Sequence, residues 1–473
     1  MSQRLVIDPV TRIEGHARIT IQLGDDGEVA DARFHVTEFR GFERFCEGRS
    51  FRELPAITSR ICGICPVSHE LASARACDAL LAVDVPDAAK ALRKLVNLAQ
   101  LVQSHALSFF HLSSPDWILG YDSDPARRNV LGLAEARPEL ARQGIRLRQW
   151  GQQVIEAVAG RRVHPGWAVP GGVARPLSAA ARERILAGLP EALATARQTL
   201  GWFAGTAADH QEEARVFGNF PSLFMAMVGP EGELEHTDGK LRFVDERGAV
   251  LADQVEPRDH RAWIGEAVEP WSYLKFPYYL KHGYPGGLYR VGPLARLNCC
   301  ARAGTPLADE ALAGFRQLGR GAVLSSFHAH HARLVEILYA VERIEQLLAD
   351  PGILSDEVCA VALRSRRRAV GACEAPRGTL FHDYEVDRDG LVERVDLLIA
   401  TGQNNLAMNR TVAQIARHYL SGQRLEEGLL NRVEAGIRAF DPCLSCSTHA
   451  AGKMAMVVEL LGGDGELLDA ATR

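Results

Sequence analysis

The chain has 473 residues, 47% hydrophobic and 24% charged, with a formal net charge of −5. These are globular proportions, and the absence of a basic block argues against a nucleic-acid partner. No apolar run reaches the roughly 18–20 residues a membrane span needs, and MSQRLVIDPVTRIEG lacks a signal-peptide core, so a cytoplasmic protein is expected, unless a partner exports it.

In chain order, residues 17–23 (ARITIQL) place Ala17, Ile19, Ile21 and Leu23 on one face and predict a strand. A turn at 24–27 (GDDG) leads into a second strand over 28–36. A long helix is predicted over 87–112, opened by Pro86 and Asp87 and patterned by Leu92, Leu95, Val96 and Ala99. Leu98, Leu101 and Phe109 extend its apolar surface, so burial on several sides is expected. Residues 206–300 are rich in Gly and Pro and read as short strands and long loops. Further helices are predicted at 178–205, interrupted at Pro190, at 322–349, stopped by Asp350-Pro351-Gly352, and at 405–420. A second hairpin spans 384–399 and turns at Asp389-Gly390. No repeat, low-complexity segment or linker interrupts the chain. The fold class expected is α+β, mainly α-helical: a long buried central helix bundle with small β-hairpins and sheets at the periphery, built as one unit.

Ten cysteines in this length are not a disulfide scaffold. Two CxxC pairs each precede a histidine: RICGICPVSH holds Cys62, Cys65 and His69, and DPCLSCSTH holds Cys443, Cys446 and His449. Zinc ribbons keep their pairs much closer in sequence. Pairs at opposite ends of a large chain point to a buried centre that the fold closes around. Four thiolates suit zinc, an iron–sulfur cluster or another soft-ligand metal, and ligand type alone does not choose. Polar residues also cluster in TRIEGH (11–16), EFRGFE (38–43) and EAPRGTLFH (374–382). Taken singly, Glu14 reads equally as a surface charge, Glu43 as a helix cap and Arg377 as half of an ion pair. Cys46, Cys77, Cys299, Cys300, Cys359 and Cys373 lack ligand spacing and read as small apolar residues. In HAHH (328–331) only His328 and His331 share a helix face, which is too little for a site.

Together, DPVTRIEGH, RGFE, RICGICPVSH, EAPRGTL and DPCLSCSTH, in this order over residues 8–449, resemble the motifs of the large, catalytic subunit of nickel–iron hydrogenases. RNVLGL (128–133), VEPWSYLKFPY (268–278) and NNLAMNRTV (404–412) are most similar to the soluble, bidirectional, NAD-reducing type. The resemblance implies that Cys62, Cys65, Cys443 and Cys446 bind nickel. Cys65 and Cys446 would also bridge to an iron carrying one carbonyl and two cyanide ligands. Cys443 would accept the proton from H2 and Glu14 would relay it. Arg377 would overhang the open metal position, held by Asp116 and Asp441. The backbone at Pro376 and the hydroxyl of Thr401 would hydrogen-bond the cyanides, and His69 would touch a bridging sulfur. Glu43, His449 and the Leu397 carbonyl would bind magnesium. Where many members of the family read PTTWN or PSTWN, this chain reads ATGQN (400–404), a departure the NAD-reducing type tends to share.

The implied function is reversible, heterolytic H2 cleavage, with electrons leaving for NAD+. The implied partners are diaphorase subunits, carrying FMN and iron–sulfur clusters, and an iron–sulfur small subunit. Nickel-insertion chaperones and a C-terminal endopeptidase would mature a precursor, leaving a single domain of residues 1–449 and removing 450–473. Two alternatives are the same chemistry with a deazaflavin or ferredoxin-type acceptor, and a non-catalytic, H2-sensing subunit.

Overall fold

The computed structural model describes residues 3–363, 365–422, 426–450, 457–461 and 467–472. Its first three strands, β1 (Gln3–Ile7), β2 (Ala17–Leu23) and β3 (Val29–Val36), form an antiparallel sheet with Ile19 and Ile21 fully buried, as their alternation requires. Helix α1 (Pro66–Leu81) follows the first CxxC, and α2 (Asp87–Ala106) continues through a π-helical turn at Leu107–Ser113. Leu92, Leu95, Val96, Leu98, Ala99 and Leu101 of α2 are all buried, so this helix has no solvent face along its second half.

Helix α3 (Pro138–Ala159) packs beside it, and α4 (Ala179–Thr206) packs on α3. The expected interruption at Pro190 does not occur, and α4 runs unbroken through it. Pro190 lies on the exposed face, while Ile185, Leu189, Ala192 and Ala196 are buried opposite. Packing along that face offsets the hydrogen bond that proline forfeits.

Within 206–300 the chain forms β4 (Leu223–Val228), β5 (Lys240–Val244), β6 (Val250–Val255) and β7 (Tyr289–Arg290), ordered β7-β4-β5-β6 in one sheet. Helix α5 (Pro293–Cys299) packs on β4. Helix α6 (Ala329–Ala349) starts later than the expected 322, after a 3-10 turn at Ser326–His328 capped by the Ser325 hydroxyl. It packs against α2 and α4, completing the buried bundle.

The expected second hairpin joins the second and third strands of a three-stranded sheet, β8 (Arg368–Ala375), β9 (Gly378–Val386) and β10 (Val392–Leu398). Ala375 pairs with Gly378, so Pro376 and Arg377 are the turn between β8 and β9. Helix α1 lies across β8 and β9, which brings its cysteine end to this turn. Helix α7 (Asn405–Tyr419) packs on β3 and on α8 (Glu427–Arg438), after which the second CxxC begins. Strands β11 (Val457–Leu461) and β12 (Leu467–Thr472) pair with each other. Of the apolar stretch MAMVVELL (454–461), residues 454–456 lie outside the described residues. Among the described residues no helix is long and apolar enough to cross a membrane.

Candidate metal centre

Each CxxC is folded locally before the two meet. The amides of Ile64 and Cys65 donate to the Cys62 sulfur at 3.2 and 3.4 Å, curling the first pair, and Cys65 stands immediately before α1 with Pro66 in its first turn. The second pair is fixed from outside. Leu444 N–H donates to the Glu14 carbonyl at 3.1 Å, Glu14 N–H to the Pro442 carbonyl at 3.4 Å, and Cys443 N–H to the Thr401 hydroxyl at 3.0 Å. The N-terminal TRIEGH segment and the C-terminal arm are thus hydrogen-bonded side by side. Gly15, at φ +83°, permits it: a Cβ there would stand 2.8 Å from that of Leu444.

This closure gathers the four sulfurs within 4.8 Å of one another, all buried. Cys62 and Cys443 are 3.4 Å apart, Cys65 and Cys446 3.5 Å, and Cys443 and Cys446 2.7 Å, with every thiol free. The 4.8 Å span fits ligands about 2.3 Å from shared ions, which stand about 3.8 Å apart around one ion, while Cys443 and Cys446 lie closer together than such ligands do. Hydrogen bonds from Cys443, Cys446 and Cys62 pull the Cys65 thiol well down, whereas burial pushes Cys443 and Cys446 well up. Four buried thiolates without a cation would be very costly, so the donor set fits soft, positively charged metal ions.

Arg377, at the turn between β8 and β9, is 4% exposed. Its Nε donates to the Asp441 carbonyl at 2.6 Å, and its Nη2 meets the Asp441 carboxylate at 3.1 Å. Burial opposes the charge, but Asp441 and the thiols of Cys443, Cys65 and Cys62 outweigh it and hold the guanidinium above its ordinary pKa. Asp116 is not a second holder of Arg377. Its carboxylate is taken by Arg12, by Arg438 at 2.9 Å and by Asn431 at 3.1 Å. The π-helical turn ahead of Asp116 and the position of Arg438 on α8 bring these groups together, and neither was legible as a motif.

Glu14 is partly buried, and its Oε2 accepts the Ser445 N–H at 3.0 Å, one residue from Leu444 and two from Cys443. Thr401 accepts from Cys443 N–H and keeps its own proton to donate. His69 adds to the pull that lowers the Cys65 thiol and lies 3.3 Å from His382, which continues to Tyr384 at 2.6 Å.

The residues expected to hold magnesium also assemble. Glu43 Oε1 accepts the Leu397 N–H at 2.8 Å, and His449 Nδ1 accepts the Phe42 N–H at 3.3 Å. Burial raises Glu43 to about 7, against the pull of the Leu397 amide and Lys275, and lowers His449 to about 3. Among the described residues His449 Nε2 is buried without a partner, and His449 and Leu397 line a cavity of about 20 Å³ with Glu266 and Lys275. This is room for one small ion or water.

Two thiolate pairs from opposite chain ends, sealed inside a mainly helical α+β fold beneath a buried arginine, define a protein with a buried soft-metal centre. Its family follows from its likeness to known proteins. A family described as nickel-dependent hydrogenase matches residues 40–129 and 249–449, and one described as HoxL-like matches 4–39. The beta subunit of the NAD-reducing hydrogenase HoxS of Cupriavidus necator is 42% identical over 100% of both chains. A chain of the F420-non-reducing hydrogenase vhu of Methanocaldococcus jannaschii is 38% identical over 88% of this chain and 99% of its own. A crystal structure of an H2-reduced NAD+-reducing [NiFe]-hydrogenase superposes with TM-score 0.92 and 45% identity, covering 94% of this chain and 99% of that one. The chain belongs to the nickel–iron hydrogenases, as a large subunit.

Proposed function

We propose that this subunit catalyses reversible, heterolytic cleavage of H2 and that its electrons reach NAD+ through partner subunits. The observation that carries the catalytic part is the buried set of four thiolates beside Arg377 and Glu14. When bound, the nickel–iron pair supplies the redox-active site that polarises H2 and takes up two electrons. Carbonyl and cyanide ligands on the iron would accept hydrogen bonds from the Thr401 hydroxyl and the backbone beside Pro376. Cys443 receives the proton, since a thiolate beside the cleaved bond is both base and neighbour. Glu14 carries it onward, because the Ser445 amide holds its carboxylate next to the Cys443 arm. Arg377 fixes a positive charge over the pocket that orients H2. Glu43, His449 and the Leu397 carbonyl hold magnesium and anchor the C-terminal arm.

Among the described residues no second metal-ligand cluster offers a route for electrons, so they leave through another chain. A diaphorase with FMN, together with an iron–sulfur small subunit, fits the likeness to NAD-reducing relatives and a cytoplasmic location. Residues 1–449 form the mature domain, and 450–473 are removed by an endopeptidase after chaperones load nickel. The family match that ends at residue 449 supports this, as does the solved relative, which covers 94% of this chain but 99% of its own.

The test is nickel analysis and infrared spectroscopy of the purified complex, followed by H2-driven NAD+ reduction. Nickel with carbonyl and cyanide bands is expected. Their absence after full maturation would defeat the catalytic reading. H2-driven dye reduction without NAD+ reduction would instead transfer the chain to another acceptor.

A further inference from the structure

Three fully buried charges lie behind the turn that carries Arg377. Arg296, on α5, is 0% exposed, as are Glu336 on α6 and Glu374 on β8. All five guanidinium N–H donors of Arg296 are used. Nε and Nη2 grip the two oxygens of Glu336, the second at 2.7 Å. Nη1 donates to Glu374 Oε2 at 2.8 Å and to the Ala375 carbonyl at 2.9 Å, and Nη2 also donates to the Pro376 carbonyl at 3.1 Å. One side chain thus holds two consecutive backbone carbonyls immediately before Arg377.

Its counter-ions tie it to the rest of the fold. Glu336 also accepts from His105 on α2 at 2.8 Å. Glu374 Oε1 takes the Met227 amide of β4 at 2.8 Å and the Thr379 hydroxyl at 2.6 Å. Glu374 and Thr379 are paired across β8 and β9, so this carboxylate clamps both legs of the turn. The opposite side is equally tight: a Cβ at Gly292, whose φ is +98°, would stand 2.8 Å from the Arg377 carbonyl.

We propose that Arg296 is a positioning residue: locked by Glu336 and Glu374, it fixes the Ala375 and Pro376 carbonyls and thereby sets where the Arg377 guanidinium stands over the thiolate pocket. The proposal rests on the role given to Arg377 above. A buried pair of carboxylates supplies more than the counter-charge of the guanidinium, and the planar fork supplies the geometry. Lysine would keep the charge, but its three donors cannot serve two carboxylates and two carbonyls from one point. A displacement of the turn near 1 Å is enough to depress a reaction a hundredfold or so.

The experiment uses the assembled, metal-loaded complex carrying Arg296→Lys, with Glu374→Gln and Arg377→Lys alongside. In Arg296→Lys we expect nickel content to be retained and amide hydrogen exchange over residues 374–380 to rise by on the order of tenfold. The infrared cyanide bands should shift or broaden, and kcat should fall by roughly ten- to a hundredfold with KM for H2 nearly unchanged. Glu374→Gln should move the same readouts less, and it carries the test if Arg296→Lys does not accumulate. Parental exchange and parental bands, or a loss of thermal stability alone, overturn the proposal. If Arg377→Lys keeps parental turnover, the role of Arg377 fails, while exchange at 374–380 still decides whether Arg296 holds the turn.

Discussion

The carboxylate of Asp116 is 1% exposed and lies between the guanidinium groups of Arg12 and Arg438. Removing it in Asp116→Ala leaves two arginines in a poorly solvated site, and a broken buried network of this kind costs about 3–5 kcal/mol. Arg438 also holds the Thr11 carbonyl at 3.0 Å, so the same change should slacken the TRIEGH segment. We expect a lower melting temperature and lower nickel content, and parental values of both would reject the role. Glu14→Gln is nearly isosteric and keeps an oxygen for the Ser445 amide. Metals should stay, while H/D exchange with H2 slows by about 100-fold or more, the scale of general acid–base catalysis; an unchanged exchange rate would remove Glu14 from the proton route. Glu235 pairs with Lys94 at 2.7 Å. Burial pushes Glu235 up, but Lys94 and the amides of Thr237 and Asp238 outweigh it and bring it to about 2. Its folded value lies below the unfolded one, so the pair's stabilisation, on the order of 3 kcal/mol, is full above about pH 4.3. It is lost as pH falls toward 2. Between about pH 5 and 3 the urea midpoint of the parent should drop more steeply than that of Lys94→Met, and equal slopes would contradict this.

At the level of elements, α4 shows packing overriding local propensity. Pro190 removes one intrahelical hydrogen bond on an exposed face, a cost of up to about 3 kcal/mol. Pro190→Ala should therefore raise the melting temperature, and a fall would mean that proline shapes a bend the bundle needs. The long helices were legible because apolar spacing over many residues leaves one solution, as in α2 with its unbroken row of buried Leu and Val side chains. The hairpin at 384–399 was legible from alternation and Asp389-Gly390, but its partner strand β8 was not. Residues 206–300 give only a mixed pattern because their strands are two to six residues long and one of them, β7, pairs in parallel with β4 far back along the chain. No window of sequence contains that pairing.

On the scale of the whole molecule, the two ends of the chain are joined at the metal pocket, with Glu14 bonded to the arm that carries Cys443 and Cys446. His449, 2% exposed, already sits against Phe42, and the chain continues beyond it to residue 473. In the processing proposed above, cutting after this buried residue would release a tail from an arm that already stands closed. Intact mass of the mature subunit should end at His449, and nickel-starved cells should accumulate the longer form; active enzyme retaining 450–473 would refute the processing.

By itself the sequence determined the chemistry and its family. Two CxxC pairs with their histidines, TRIEGH and EAPRGTL survive as contiguous strings, because ligand spacing and presentation of Arg377 are local properties of the chain. Only the tertiary structure decided who stands beside whom. It gave Asp116 to Arg12 and Arg438 instead of Arg377, left Asp441 as the carboxylate that holds Arg377, and placed Arg296 behind the Pro376 turn. Those partners come from separate helices and strands, so a buried charge reveals its counter-ion only after the core has closed around both.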